Sequence, residues 1–192
     1  MPTTTLHLVR HAEAQGESHD HDPELSEHGR QQANALGARL RYFSYDALLH
    51  SPKRRAAETA ATMARHVAGV TPEASALVDD RTPVPDDWST MPARYHALLR
   101  TVPADEADVG GRFLQAAVTE LGRVGEVDRT VIVVTHAFVI GWFVREVLDA
   151  PWWRWIGLNA DNASLTTVRF ADDRPAQLLA FNDLGHLGDL DR

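Results

Sequence analysis

The sequence predicts an α/β domain on a mostly parallel central sheet, and three observations point there. Short aliphatic runs alternate along the chain with longer stretches of helical spacing, the signature of strand–helix–strand units. The two strongest runs, Leu6 to Val9 and Val131 to Val134, are apolar enough for strands covered on both faces, as parallel strands are. Each then gives way to a histidine, His11 in one case and His136 in the other.

Taken in order, Thr3 to Val9 is the first strand. A polar loop from Glu13 to Glu24 leads to Ser26, a good N-cap. The helix it opens runs to about Tyr42, with Ala33, Leu36 and Leu40 on one face. Ala47 to Leu49 is a short second strand. Pro52 suits the first turn of a helix that carries Ala56, Ala60, Met63 and Val67 to a stop at Gly69. Ala74 to Val78 reads as a third strand, and Thr82 to Met91, rich in proline and aspartate, as a loop. Helical spacing returns over Pro92 to Arg100 and Asp105 to Gly122. Val131 to Val134 is followed by a helix over Phe138 to Leu148. Leu165 to Phe170 and Gln177 to Phe181 alternate as a terminal hairpin should. Without internal repeat, low-complexity tract or linker, the 192 residues read as one domain.

Composition narrows the function classes. With 24% charged and 44% hydrophobic residues the chain reads as a soluble globular protein. A formal net charge of -8 argues against nonspecific nucleic-acid binding and against an acidic membrane surface. No stretch approaches the roughly 20 apolar residues of a membrane span. The start, Met-Pro-Thr-Thr-Thr, has no basic region leading into an apolar one, so no signal peptide is expected. The absence of cysteine excludes disulfides, thiolate catalysis and cysteine-bound zinc, and fits a cytoplasmic location.

In open α/β sheets ligands sit beyond the carboxyl ends of the strands, which brings His11 and His136 to one crevice. Arg10 stands beside the first histidine, and Lys53, Arg54 and Arg55 follow the second strand. Such a crevice has the charge to hold a phosphoryl group.

Four segments, in order, carry a family resemblance. They are Leu8-Val9-Arg10-His11-Ala12-Glu13, Leu25 to Ala33, Ser51-Pro52-Lys53-Arg54-Arg55-Ala56-Ala57-Glu58-Thr59-Ala60, and Val134-Thr135-His136. Together they closely resemble the histidine phosphatase superfamily, over most of the chain; Thr82 to Gly125 matches poorly. The resemblance implies a single-domain three-layer α/β/α fold, phosphoglycerate-mutase-like, with a variable substrate-covering segment at about 82–125. It implies a metal-independent, cofactor-free phosphomonoesterase with His11 as the nucleophile that becomes phosphorylated. Arg10 and Arg55 would grip the phosphate, Arg55 being chosen over Arg54 by its spacing from the proline. His136 would hydrogen-bond the transferring group as a cation, and Asn162 falls at a position near the pocket. In Val78-Asp79-Asp80-Arg81 the resemblance puts Asp80 at the general acid, with Asp79, Glu13 and Asp86 as further candidates.

The chemistry agrees with those residue types. Phosphoryl transfer rests on positioning and charge neutralisation. A neutral imidazole is a good nucleophile near pH 7, and a phosphorylated one hydrolyses readily. A phosphoglycerate-type mutase is a weaker reading, because Ala12 and Ala14-Gln15-Gly16 replace the residues that such mutases carry after the Arg-His pair. The same residues could also serve a protein-phosphohistidine phosphatase or an inactive phospho-ligand binding module. The expected partner is a small phosphorylated substrate, with a homodimer left open. Acidic residues at Asp86, Asp87, Asp105, Glu106 and Asp108 weigh mildly against a polyphosphorylated one. Lys53 and Arg54 read as solvated helix-start charges, His19-Asp20-His21-Asp22 as plain loop, and Trp152, Trp153 and Trp155 as core packing.

Overall fold

In a computed structural model, which describes residues 1–16, 22–85 and 87–191, the chain forms a six-stranded sheet between two layers of helices. The strands are β1 (Thr4–Arg10), β2 (Ala47–His50), β3 (Pro72–Ala74), β4 (Arg129–Thr135), β5 (Leu165–Phe170) and β6 (Gln177–Asp183). Their order across the sheet is β3-β2-β4-β1-β5-β6. The pairings from β3 to β1 are parallel, and β5 and β6 add antiparallel strands at the far edge. The main helices are α1 (Glu27–Leu40), α2 (Arg54–Met63), a four-residue α3 (His96–Leu99), α4 (Ala104–Leu121) and α5 (Ala137–Val147).

The central strands are apolar throughout because both of their faces are covered. Leu6, Leu8, Val131 and Val133 join the core shared with α4 and α5, including Leu114, Ile140 and Phe143. Their neighbours Val9, Ile132 and Val134 point the other way, onto Leu36, Leu40, Ala60 and Met63 of α1 and α2. Each such side chain contributes about 1.5–3 kcal/mol by leaving water, so the sheet is held from both sides. Ser26 caps α1 as expected, its hydroxyl accepting the Gly29 N–H at 2.9 Å.

Three elements differ from the sequence reading. The third strand is Pro72–Ala74, and Ala76–Val78 is a single 3-10 turn. Val78 is drawn out of the sheet because the buried Thr135 hydroxyl donates to its carbonyl at 2.7 Å. The helix expected to reach Gly69 stops at Met63; Val67 remains buried in the turns beyond, so apolar spacing outlasts the helix. The segment Pro92 to Arg100 divides into a 3-10 turn, Ala93–Tyr95, and α3. Trp155 is buried in the core, while Trp152 donates to the Thr90 hydroxyl at 2.8 Å and Trp153 meets Tyr95. The tryptophans therefore pack, and they tie the 82–103 segment to the body. Among the described residues no helix is long and apolar enough to cross a membrane.

Candidate active site

Strand register builds the site. Arg10 pairs with Thr135 across β1 and β4, so the next residues, His11 and His136, leave the sheet side by side. The His11 N–H donates to the Thr135 carbonyl at 2.9 Å, and the two ring centroids lie 5.2 Å apart. On the other side of β4, His50 pairs with Val134, and the Ser51 N–H donates to the Val134 carbonyl at 2.9 Å. Three parallel strands thus end level and present Ser51, His136 and His11 in a row. The helices that follow, α2 and α5, start here and turn their positive ends toward the same place.

Arg55, in the first turn of α2, is the hub. Its Nε lies 3.2 Å from His11 Nε2, and its Nη2 lies 3.2 Å from His136 Nδ1 and 2.8 Å from Asp80 Oδ2. Its Nη1 is 3.5 Å from Asp22, whose carboxylate also accepts the Arg54 N–H at 2.9 Å and so caps α2. Arg54 itself pairs with Glu24 and Glu58, away from the histidines. Arg10 donates to the Ala160 carbonyl at 2.6 Å, and its buried Nε has no hydrogen-bond partner among the described residues. An orphaned guanidinium N–H at this point is an open anion contact.

The protonation of His11 follows from its neighbours. Its Nδ1 sits 2.9 Å from the Ala12 carbonyl, which can only accept, so Nδ1 carries the hydrogen and Nε2 the lone pair. Burial, with His136, Arg55 and Arg10 nearby, pushes the ring down to about 3, so it is neutral at physiological pH. His136 is likewise pushed down to about 3, by burial first and then by Arg55, against the pull of Asp79. With no anion beside it His136 is thus a neutral ring hemmed in by cations; the imidazolium expected from the sequence belongs to the ring in contact with a phosphoryl group.

Asp80 lies 3.5 Å from His136 Nδ1 and faces the pocket. Asp79 turns away, accepting from Ser51 Oγ at 3.2 Å and lying 3.6 Å from Arg81. Glu13 accepts from the Ser26 hydroxyl at 2.5 Å and belongs to the start of α1 rather than to the histidine pair. Asp86 lies outside the described residues, as do His19, Asp20 and His21. Among the described residues no cluster of three or more His, Asp or Glu side chains is arranged to hold a metal ion. Asn162, expected on the phosphate, donates its amide instead to the His11 carbonyl at 3.0 Å and braces the end of β1. Ala163 beside it holds a left-handed φ of 55° and donates its N–H to the Arg10 carbonyl at 3.1 Å.

Three contributors had no role assigned from sequence. Thr59 accepts the Ala12 N–H at 3.0 Å and donates to the Arg55 carbonyl at 2.7 Å, clamping α2 to the loop that leaves β1. Ser51 meets His136, and Asp22 caps α2. Thr59 and Ser51 both lie inside the Ser51-to-Ala60 segment, where a small hydroxyl, beside alanines for Thr59 and before the proline for Ser51, was the available signal.

The sequence model of the histidine phosphatase superfamily, branch 1, matches residues 6–183. The chain belongs to that superfamily. The chain is 28% identical over 194 residues to the mitochondrial serine/threonine-protein phosphatase PGAM5 of Homo sapiens, an alignment covering 97% of this chain. It spans 63% of the length of that relative. Its fold is shared by a mycobacterial glucosyl-3-phosphoglycerate phosphatase, at a TM-score of 0.68 and 22% identity over 94% of this chain and 99% of that one. It is shared too by a phosphoglycerate mutase from Bacillus anthracis, at a TM-score of 0.71 and 17% identity over 100% and 98% of the two chains.

Proposed function

We propose that this histidine phosphatase hydrolyses phosphate monoesters of small molecules through a phosphohistidine on His11, with no metal. The observation that carries the reading is the His11 tautomer: Nδ1–H held by Ala12 leaves Nε2 as a lone pair among Arg10, Arg55 and His136. In the first step Nε2 attacks phosphorus, the bond from phosphorus to the leaving oxygen breaks, and Asp80 gives that oxygen its proton. In the second, water attacks phosphorus, its proton passes to Asp80, and the N–P bond breaks to restore His11 and release phosphate. Arg10 and Arg55 hold the non-bridging oxygens in paired, charge-assisted hydrogen bonds. To do so Arg55 exchanges His11, His136 and Asp80 for the phosphoryl group, which frees the nucleophile and the acid together.

We infer that the leaving group lies against a partly apolar cavity close in sequence to the site. A cavity of about 280 Å³ is lined by Leu98, Leu99, Val102, Pro103, Phe138 and Trp155, with Thr82, Thr101 and Glu106 as its polar members, and Thr82 and Phe138 lie two residues beyond Asp80 and His136. This favours monoesters with a compact, partly apolar alcohol, covered by the segment 82–125. A second class, phosphoserine or phosphothreonine in proteins, is suggested by the similarity to PGAM5.

A panel of phosphorylated metabolites, aryl phosphates and phosphopeptides, read by phosphate release, tests the activity and ranks the classes. Quenching with ³²P-labelled substrate should trap label in an acid-labile, base-stable bond that His11→Ala abolishes. Transfer of phosphate to a second sugar phosphate in place of water would make the protein a mutase. Turnover lost to a chelator would overturn the mechanism.

A further inference from the structure

His136 has a second side, facing away from the phosphoryl pocket, and that side is built. Its Nε2 lies 2.8 Å from Ser51 Oγ, Ser51 is fully buried, and Ser51 Oγ donates to Asp79 Oδ1 at 3.2 Å. The Lys53 N–H also donates to Ser51 Oγ, at 3.2 Å. A serine hydroxyl offers one hydrogen and two lone pairs. With its hydrogen committed to Asp79 and one lone pair to Lys53, it can only accept from His136. Nε2 must therefore carry the hydrogen, which leaves Nδ1 as the atom that faces Arg55 and Asp80.

Asp79 is itself held. Its Oδ1 accepts the Asp80 N–H at 2.8 Å, and its Oδ2 lies 3.6 Å from Arg81. The whole segment is fastened to the end of β4 by the Thr135 hydroxyl on the Val78 carbonyl. The line Asp79–Ser51–His136 thus runs from a carboxylate, through a buried hydroxyl, to the ring that would meet the phosphoryl group.

We propose that Ser51 and Asp79 are positioning residues for His136, fixing it as the Nε2–H tautomer and supplying the negative charge against which Nδ1 takes up a proton when a phosphoryl dianion lies beside it. The inference rests on the phosphatase reading for its purpose, though not for its geometry. The other charged or titratable groups around the ring are Arg55 from α2, Arg10 and His11 from the end of β1, Lys53 before α2, and Asp80. All but Asp80 oppose an imidazolium or are neutral. Asp80 is tied to Arg55 and is the proposed proton donor, which leaves Asp79 as the standing counter-charge. A carboxylate two hydrogen bonds removed, across one bridging hydroxyl, favours the charged ring by on the order of one pKa unit, and that hydroxyl transmits orientation as well as charge.

Two substitutions separate the parts. Asp79→Asn keeps an acceptor for Ser51 and removes the charge; Ser51→Ala removes the hydroxyl. The readouts are the ¹⁵N spectrum of the His136 ring with inorganic phosphate added, and the pH dependence of kcat. In the parent protein the ring should show Nε2–H throughout, and Nδ1 should gain a proton as phosphate binds. In Asp79→Asn the phosphate-bound ring should titrate about one pH unit lower, with the high-pH limb of kcat shifted equally and the inhibition constant of phosphate raised by up to about tenfold at pH 6 and less at pH 8. In Ser51→Ala the ring should show a mixture of tautomers, with kcat falling more than KM rises, and Ser51→Thr should restore the Nε2–H signal. Thermal unfolding confirms that each variant is folded. Superimposable ring titrations and kcat profiles in folded Asp79→Asn and parent protein would overturn the relay while leaving the hydrolase reading intact. A parent ring with Nε2 unprotonated would overturn it too. A parent protein that turns over no phosphate ester would refute the hydrolase reading, and the ring spectra would still decide the tautomer.

Discussion

Acid should unfold this protein through three buried histidines, and the size of the effect can be worked out. His7, on β1 beside Tyr45 and Phe43, is pushed down to about 4 by burial and by Arg39. His11 and His136 are pushed down to about 3, also chiefly by burial. In an unfolded chain each ring titrates near pH 6.5. The folded state therefore binds fewer protons than the unfolded state below that pH. The stability these rings contribute is complete above about pH 6.5 and drains away as the pH falls toward 4 and then 3. At pH 5 the unfolded chain holds nearly three more protons on these rings, a slope of about 4 kcal/mol per pH unit. From pH 7 to pH 5 each ring costs about 2 kcal/mol and the three together roughly 6, a large part of the 5–15 kcal/mol that a domain has. The assay is urea unfolding followed by tryptophan fluorescence at half-unit steps from pH 7.5 to 4.5. His7→Gln should lower the slope at pH 5 by about one proton. Inorganic phosphate should flatten it further, because an anion between His11 and His136 lets the folded state accept a proton there. Stability that is level from pH 7 to pH 5, or a His7→Gln slope equal to the parent's, would refute the reasoning.

Three further outcomes are expected. Arg10→Ala and Arg55→Ala should each lower kcat/KM by on the order of 10²-fold or more, the scale of losing one preorganised charge contact, with the fold retained by circular dichroism. Asp80→Asn should slow alkyl phosphates by about 10²–10⁴-fold and activated aryl phosphates far less, since only a poor leaving group needs the proton; equal losses on both would remove Asp80 from that role. Gly29→Ala should cost at least about 2 kcal/mol, read as a lowered Tm, because overpacking against rigid backbone is not relieved by rotamer change. A Cβ at Gly29 would stand 2.0 Å from the Glu13 carbonyl oxygen.

The parts of this molecule legible in its sequence are those that repeat a period or end one. Leu6 to Val9 and Val131 to Val134 announce strands because both faces of each must be apolar, and their ends announce a site because parallel strands finish on one side. Arg10, His11 and His136 were visible for that reason, whereas Arg55 was singled out from its basic run only by the spacing of the family motif. Elements held by a single tertiary bond were not. The stretch Ala74 to Val78 has a strand's composition, yet one hydroxyl on Thr135 pulls Val78 off the sheet. Asn162 stands near the pocket as expected, but its amide goes to backbone. Ser51 and Thr59 are small hydroxyls in a helix-start motif, and only the packing of α2 against β1 and β4 tells which atoms they meet.

Charge explains why so few residues suffice. The chain as a whole is acidic, with a formal net charge of -8, yet the ends of β1, β2 and β4 converge on Arg10, Arg55 and two starting helices. Those cations are restrained by Asp80 and Asp22 at Arg55, and by the Ala160 carbonyl at Arg10. In the proposed mechanism a phosphate dianion would take over those contacts, and each one it took would release a group the reaction needs: the Nε2 lone pair from Arg55, the Asp80 carboxyl group from the same guanidinium, and His136 from the repulsion that keeps it neutral. A neutral or monoanionic ligand of the same shape would displace Arg55 only in part and would leave the nucleophile covered. Selection for a dianionic phosphoryl group then lies in the exchange of partners at one arginine, which is why Arg55→Lys, with its charge kept but its fork lost, should bind phosphate and yet turn over poorly.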